Sequence, residues 1–245
     1  MHIFLVNDDG IGSEGILALY RAALERGHQV SMCAPLRQQS AASHRITLSD
    51  PLRVQPYALE GARGFAIDGT PADCVRVGLS ALVDHPVDVV VSGINAGYNA
   101  GIAVHYSGTV GAAMEASFYR LPAIATSIHH KASPEMIAHL AAFTICMAEQ
   151  YARAPLIPCT VLNINAPCVP PAELAQPVYA PLDTGYFQDG YEMRAPGEYW
   201  LAGGFEREEP VQGSDMDLLA KGHITLTLVG NFGSAPKALW DSLSL

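Results

Sequence analysis

The chain has 245 residues, 49% of them hydrophobic and 16% charged, with a formal net charge of −10. That length and composition support one substantial core, or a core with an extension, and exclude a disordered chain. The acidic balance disfavours binding to a nucleic acid polymer, and no apolar run is long enough to span a bilayer.

In chain order, "HIFLV" is a short apolar run that reads as a buried strand ending at Asn7. Ile16, Leu17, Leu19, Tyr20 and Leu24 fall at helical spacing across 11–26, with Gly27 as a stop signal. A second strand, 29–34, stops at Pro35. Strand, helix and strand with short joints predict a parallel βαβ unit. "PLRQQSAASHR" is a polar loop, and Ile46–Val54 and Gly64–Ile67 read as short strands, a hairpin excursion. Thr70, Pro71 and Asp73 supply an N-cap, a first helical proline and a capping-box carboxylate. Strand 87–91, a helix beginning within "HYSGTVGAA", strand "PAIATSI", a helix capped by Ser133 and running to Tyr151, and strand "CTVLNINAP" follow. The proline-rich "APCVPPAELAQP" reads as a linker. Residues 1–170 are expected to form the catalytic core and 171–245 a C-terminal extension, with short strands at Tyr199–Phe205 and His223–Val229.

Gly10, Gly12 and Gly15 spell G-x-G-x-x-G after a strand, the setting of a dinucleotide fingerprint. Asp8 and Asp9 directly before it would repel a pyrophosphate. No acid stands in "HQVSMCAPLR", where the ribose of NAD would need one, although Arg37 would suit a 2′-phosphate. An NADP-dependent oxidoreductase and a non-catalytic nucleotide-binding module are the rival readings. A haloacid-dehalogenase-type phosphatase wants D-x-D, which adjacent Asp8 and Asp9 do not supply.

Three loops follow strands of the inferred parallel sheet, "NDDG", "PLRQQSAAS" and "SGINAGYNAG", and such loops line the ligand crevice of open α/β sheets. They offer Asp8 and Asp9 carboxylates, the Ser40 hydroxyl and the Asn95 amide oxygen. These are hard oxygen ligands suited to Mg²⁺, Mn²⁺ or Ca²⁺. Ser107, Gly108 and Thr109 open a helix, where free N–H groups and the dipole favour a phosphate, although plain N-capping explains them as well. His44, His105, His129 and His130 lie in or beside these loops and can touch substrate, although a structural histidine is the commoner case. Arg37, Arg45 and Lys131 are further phosphate partners in principle. Cys33, Cys74, Cys146, Cys159 and Cys168 form no zinc or disulfide pattern, which fits a reducing cytoplasm. Of the three glycines, Gly10 is expected to allow the turn, and Gly12 and Gly15 to be incidental.

With these loops assembled, the chain resembles the SurE family of stationary-phase survival proteins, metal-dependent nucleotidases. The matching stretches are "NDDGI", "AP…QQSA", "LRV", "DGTPADCV", "VVVSGINAGYNAG", "YSGTVGAAMEA", "LPAIATS" and "LNINAP", in family order across roughly residues 1–167. "SDMDLLAKGHITLTLV" is similar to a later family region more loosely. The resemblance implies a Rossmann-like α/β core and one divalent cation per subunit on Asp8, Asp9, Ser40 and Asn95. It implies hydrolysis of nucleoside monophosphates, sometimes of short polyphosphate, in a homodimer or homotetramer joined through the C-terminal extension. Asp8, Asp9 and Asn95 are the expected catalytic residues, with Asn95, Ser107, Gly108 and Thr109 on the phosphate. Ala41 stands where the family usually has glycine, Ile102 and Ala103 where acids are common, and Ala116 where glycine is common. These departures bear on the shape of the pocket mouth.

Overall fold

The computed structural model describes residues 1–59, 61–185, 190–202 and 209–230. The elements in order are β1 (His2–Val6), α1 (Glu14–Glu25), β2 (Gln29–Pro35), β3 (Val54–Leu59), β4 (Ala62–Ile67), α2 (Pro71–Val77), β5 (Val89–Ala96), α3 (Gly108–Phe118), β6 (Ala123–Ile128), α4 (Pro134–Tyr151), β7 (Thr160–Ala166), β8 (Ala175–Tyr179), β9 (Gly190–Ala195), β10 (Glu198–Ala202), α5 (Asp215–Ala220) and β11 (His223–Gly230). Single helical turns lie at Gly78–Leu82, Gly101–His105 and Pro171–Glu173.

Among the described residues one sheet has the order β3-β4-β2-β1-β5-β6-β7-β11-β8, and β9 and β10 form a separate antiparallel pair. From β4 through β7 every neighbouring pair is parallel. This is the expected Rossmann-like, mostly parallel sheet flanked by helices, with short C-terminal strands and a hairpin. Parallel strands covered on both faces need apolar residues at every position, and β1 shows why "HIFLV" lacks alternation. Its Ile3 and Leu5 join the core beneath α1 and α4, while Phe4 and Val6 join the core beneath α2 and α3. The central strands are thus shared between two hydrophobic layers.

The local signals at helix starts hold. Thr70 and Asp73 make the full capping box of α2, with Pro71 in the first turn. Ser133 caps α4 through the Met136 N–H. At the other end of α1, the His28 N–H returns to the Ala23 carbonyl, closing the helix at Gly27.

Three readings are corrected. Residues 46–53 are not a strand. Thr47 gives both its N–H and its hydroxyl to the Asp73 carboxylate, at 2.8 and 2.7 Å, so the strand begins only at Val54. The strand read as 87–91 continues to Ala96, carrying Asn95 on a strand end rather than in a loop. Gly15 is not incidental. A Cβ there would overlap the Ile94 carbonyl, so its absence lets α1 lie against β5. Gly12 is also hemmed in, its hypothetical Cβ 3.1 Å from the Tyr57 hydroxyl. The proline-rich linker contains the Pro171–Glu173 turn and leads into β8, which with β11 belongs to the main sheet. β10 accounts for the first part of the expected strand Tyr199–Phe205; its last residues, and 231–245 of the extension, lie outside the described residues.

Candidate functional site

The chain leaves β1 for β2 on one side and returns to β5 on the other. The carboxyl ends of β1 and β5 therefore flank a topological switch point, the place where an open α/β sheet forms its crevice. Asp8 and Asp9 follow β1 there, and Asn95 lies at the end of β5.

The turn after β1 is held by its own residues. The fully buried Asn7 donates from Nδ2 to the Gly10 carbonyl at 2.8 Å and to Ser13 Oγ at 2.7 Å. That second bond occupies the hydroxyl of the α1 N-cap residue, which caps nothing itself. Gly10 has φ +97°, a left-handed conformation that glycine adopts without the strain of a side chain. The Ile11 N–H donates to the Pro35 carbonyl at 3.0 Å, and the Gln39 N–H to the Asp8 carbonyl at 2.8 Å, so the end of β2 is laced to the same turn.

The two carboxylates face different neighbours. Asp8 is buried, and its Oδ1 accepts from the Thr109 hydroxyl at 2.6 Å and its Oδ2 from the Thr109 N–H at 3.2 Å. Gly108 gives this approach its room, because a Cβ there would stand 3.0 Å from Asp8 Cβ and 3.1 Å from its Oδ2. Asp9 accepts from the Ala96 N–H at 3.0 Å and from Gln38 Nε2 at 3.1 Å. The Ala96 bond brings the Asn95 segment onto Asp9. Asn95 Nδ2 donates to the Gly97 carbonyl at 2.8 Å, which orients the amide. Ser40 sits exposed in the turn beyond Gln39.

Burial pushes the Asp8 carboxyl up to about 6; the Thr109 hydrogen bond opposes this and the neighbouring Asp9 charge adds to it. Among the described residues no Lys, Arg or His forms an ion pair with Asp8 or Asp9. Two adjacent carboxylates, one desolvated and neither neutralised by a basic side chain, fit a cation-binding role. No group of three or more His, Cys, Asp and Glu converges among the described residues, so a cation here would depend on the amide and hydroxyl oxygens as well.

The phosphate candidates divide. Ser107 caps α3, its Oγ accepting from the Val110 N–H at 3.0 Å, and its own hydrogen remains to be donated. Thr109 turns both its donors to Asp8, so it couples the helix start to the carboxylate. Of the histidines, His44 bonds Glu115 at 2.7 Å and stacks on Phe118. His129 and His130 stack on each other at the end of β6. The five cysteines are all free thiols, Cys33 and Cys74 buried.

Several residues around the crevice were not singled out from the sequence. Glu115 holds His44 on one oxygen and Arg76, at 2.8 Å, on the other. Beneath the 97–101 segment, Asn99 donates from its N–H to Asn165 Oδ1 and from its side chain to Ser127 Oγ, both at 2.9 Å. Its carbonyl accepts from Asn163 and Asn165. The signal was present, since Asn163 and Asn165 alternate within an otherwise apolar strand. The buried Asp215 carboxylate accepts from the Gly101 and Asp183 N–H groups at 2.8 and 2.9 Å, tying α5 to the loop that follows β5.

The family model "Survival protein SurE" matches residues 3–188. A protein of Solidesulfovibrio magneticus named 5′-nucleotidase SurE is 42% identical over 231 residues, covering 93% of this chain and 90% of its own. The protein of the same name from Nitratidesulfovibrio vulgaris strain DP4 is 41% identical, covering 93% and 92%. The crystal structure of the SurE protein from Aquifex aeolicus superposes with a TM-score of 0.81 at 29% identity, covering 99% of this chain and 98% of its own.

Proposed function

The chain belongs to the SurE family of survival proteins, and on that premise we propose that it is a divalent-metal-dependent nucleotidase, a phosphomonoesterase that converts nucleoside monophosphates to nucleoside and phosphate. The observation that carries this reading is the pair Asp8 and Asp9 at the switch point, with Asp8 buried against the start of α3 and no basic side chain to neutralise it. The relatives named 5′-nucleotidase SurE support the substrate class. The dinucleotide and non-catalytic readings have no comparable observation in their favour.

Asp8, Asp9, Ser40 and Asn95 would hold one cation, Mg²⁺ or Mn²⁺, with Ca²⁺ able to occupy the same oxygens. Once bound, such a cation supplies Lewis-acid polarisation of the phosphoryl group and a more acidic water. Asn95, the Ser107 hydroxyl and the Gly108 N–H at the α3 start hold the remaining phosphate oxygens, so developing charge meets fixed donors. Thr109 shares in this by keeping Asp8 ionised and in place. Asp9, the less buried carboxylate, orients the attacking water.

The core, 1–170, carries this chemistry, and within the 171–245 extension, whose β8 and β11 complete the main sheet, the separate β9–β10 pair joins copies into a homodimer or homotetramer. The exposed Tyr191, Met193, Tyr199, Trp200 and Leu201 of the β9–β10 pair support that role. Light scattering of the purified chain tests it. Unpaired thiols support a cytoplasmic setting. Among the described residues no helix is long and apolar enough to cross a membrane.

The deciding experiment is release of phosphate from a panel of nucleoside monophosphates and short polyphosphate, with Mg²⁺, with Mn²⁺ and with EDTA. The expected outcome is metal-dependent release that EDTA abolishes. Release that persists in EDTA, or none with any metal, overturns the proposal.

A further inference from the structure

Beside the aspartate crevice, the carboxyl edge of the sheet carries a cluster of rings. β5 and β6 pair with Asn95 opposite Ser127 and Ala96 opposite Ile128, and the Gly97 N–H donates to the Ile128 carbonyl at 2.8 Å. The chains leaving these strands therefore emerge side by side, Tyr98 from one and His129 and His130 from the other. The Tyr98 and His129 rings meet edge to face, with centroids 5.4 Å apart at 60°. His129 and His130 stack with centroids 4.3 Å apart at 29°.

The rings are fixed from behind. The half-buried Tyr98 hydroxyl lies beside the backbone of Cys168. His129 Nδ1 accepts from the Lys131 N–H at 3.2 Å, which requires a lone pair on that nitrogen. Burial, with His130 and Lys131 nearby, lowers the His129 pKa and so favours its uncharged form.

Four other histidines have structural partners. His2 bonds Ser31 and the Pro86 carbonyl, His28 bonds Glu149, His44 bonds Glu115, and His223 bonds the Gln176 carbonyl. His130 is exposed and belongs to neither core cluster, and among the described residues its one recorded contact is the stack. Tyr98 is three residues beyond Asn95, a reach of at most about 10 Å along the chain. Neighbouring strands add only about 4.8 Å sideways. A phosphate held at Asn95 would leave the rest of a mononucleotide within range of these rings.

We propose that Tyr98, His129 and His130 form a stacking shelf for the nucleobase of the substrate. The inference rests on the nucleotidase reading and extends it. Planar aromatic rings bind any base through its π face, so the shelf selects nucleotides over base-free phosphate esters and discriminates weakly among bases. Purines, with the larger face, are favoured over pyrimidines.

The test is the ratio of KM for AMP to KM for ribose 5-phosphate, which lacks the base, in the full chain with Mn²⁺. Wild type is compared with His130→Ala, Tyr98→Leu and the double variant, with thermal melting as a check on folding. Because His130 is exposed, its variant keeps the fold even if the Tyr98 change does not. The expected result is a lower KM for AMP in wild type and a ratio that rises about tenfold in the double variant, with kcat for AMP within about twofold. Equal KM values in wild type, or variants that shift both substrates alike, overturn the shelf and leave the nucleotidase reading intact. A wild type that releases phosphate from neither ester overturns both.

Discussion

Between Val6 and Ser13 the backbone turn is closed by its own residues, with bonds to Pro35, Gln39, Ala96 and Thr109 added to it, and between Leu36 and Thr47 the loop is held mostly by distant elements. In the first stretch Asn7, Gly10 and Ser13 close the turn with bonds only a few residues long. In the second, the bonds reach across the fold. The Ser43 N–H and hydroxyl go to the Tyr106 and His105 carbonyls, at 3.1 and 2.7 Å. His44 goes to Glu115, the Arg45 carbonyl accepts from the Thr70 hydroxyl, and Thr47 goes to Asp73. The loop also carries two non-glycine residues in left-handed conformation, Ala41 at φ +54° and Ser43 at φ +52°. Both stretches bring oxygen atoms to one crevice, but one is built into the strand and the other is fastened on. Changes near Asp8 should therefore remove function outright, and changes around Ser40 should grade it.

The largest expected effect lies in the self-held turn. Asp8→Asn should keep the Thr109 hydroxyl bond in part but lose the charge that a cation needs. Phosphate release should fall by at least about a hundredfold, beyond what loss of a partner outside the ligand shell gives. Activity within tenfold of wild type would show that Asp8 holds no metal. Next comes Gly15→Ala, which drives a Cβ into the Ile94 carbonyl. It should cost about 1–3 kcal/mol in denaturant unfolding, the range of overpacked cores. An unchanged melting temperature would mean that α1 and β5 have slack between them.

That second prediction marks what a sequence can disclose. The burial of β1 on both faces, the capping box of α2 and the carboxyl-end position of Asp8 and Asp9 are written in adjacent residues, so they were legible. The use of Gly15 was not, because its reason is a carbonyl from a distant strand. The same holds for Ile46–Val54, where strand-like residues lose to the two bonds that Thr47 donates to Asp73, 26 residues further on. Thr109 was legible as part of a phosphate cradle by type and spacing, yet its donors turn to Asp8. Only the packing of α3 on the end of β1 decides that.

Among the fasteners of the second loop, Glu115 should matter most. Burial raises its carboxyl, but the bonds from His44 and Arg76 outweigh this and hold it below its ordinary value of 4.5. Asp73 behaves alike, its burial outweighed by bonds from Thr47 and Thr70 that keep it below 3.8. A carboxylate whose folded pKa is lowered adds stability in full above its ordinary value, and that stability is lost as pH falls through the folded one. Wild-type stability should therefore decline below about pH 4.5, and Glu115→Gln should flatten that decline. At neutral pH the variant should raise the Mn²⁺ concentration for half activity by about tenfold, the lower range for a partner outside the ligand shell. An unchanged requirement for Mn²⁺ would mean that the loop holds Ser40 without its clamp.

The smallest effect should come from the strain in the fastened loop. A left-handed conformation crowds Cβ against the following carbonyl and costs a non-glycine residue roughly 1 kcal/mol. Ala41 bears that cost immediately after Ser40, at the position where glycine would bear none. Ala41→Gly should therefore relax the folded state, while the greater freedom of glycine in the unfolded chain offsets part of the gain. The net expectation is a stabilisation of about 0.5 kcal/mol, read as a rise of 1–2 °C in melting temperature for a chain of this size. Ser43→Gly removes similar strain but also deletes the hydroxyl bond to His105, so its net effect should be neutral or destabilising. If Ala41→Gly stabilises while Ser43→Gly does not, the loop is strained at both positions but anchored at only one. If both destabilise, the left-handed turns are held at no cost, and the contrast between the two stretches narrows to their hydrogen bonds.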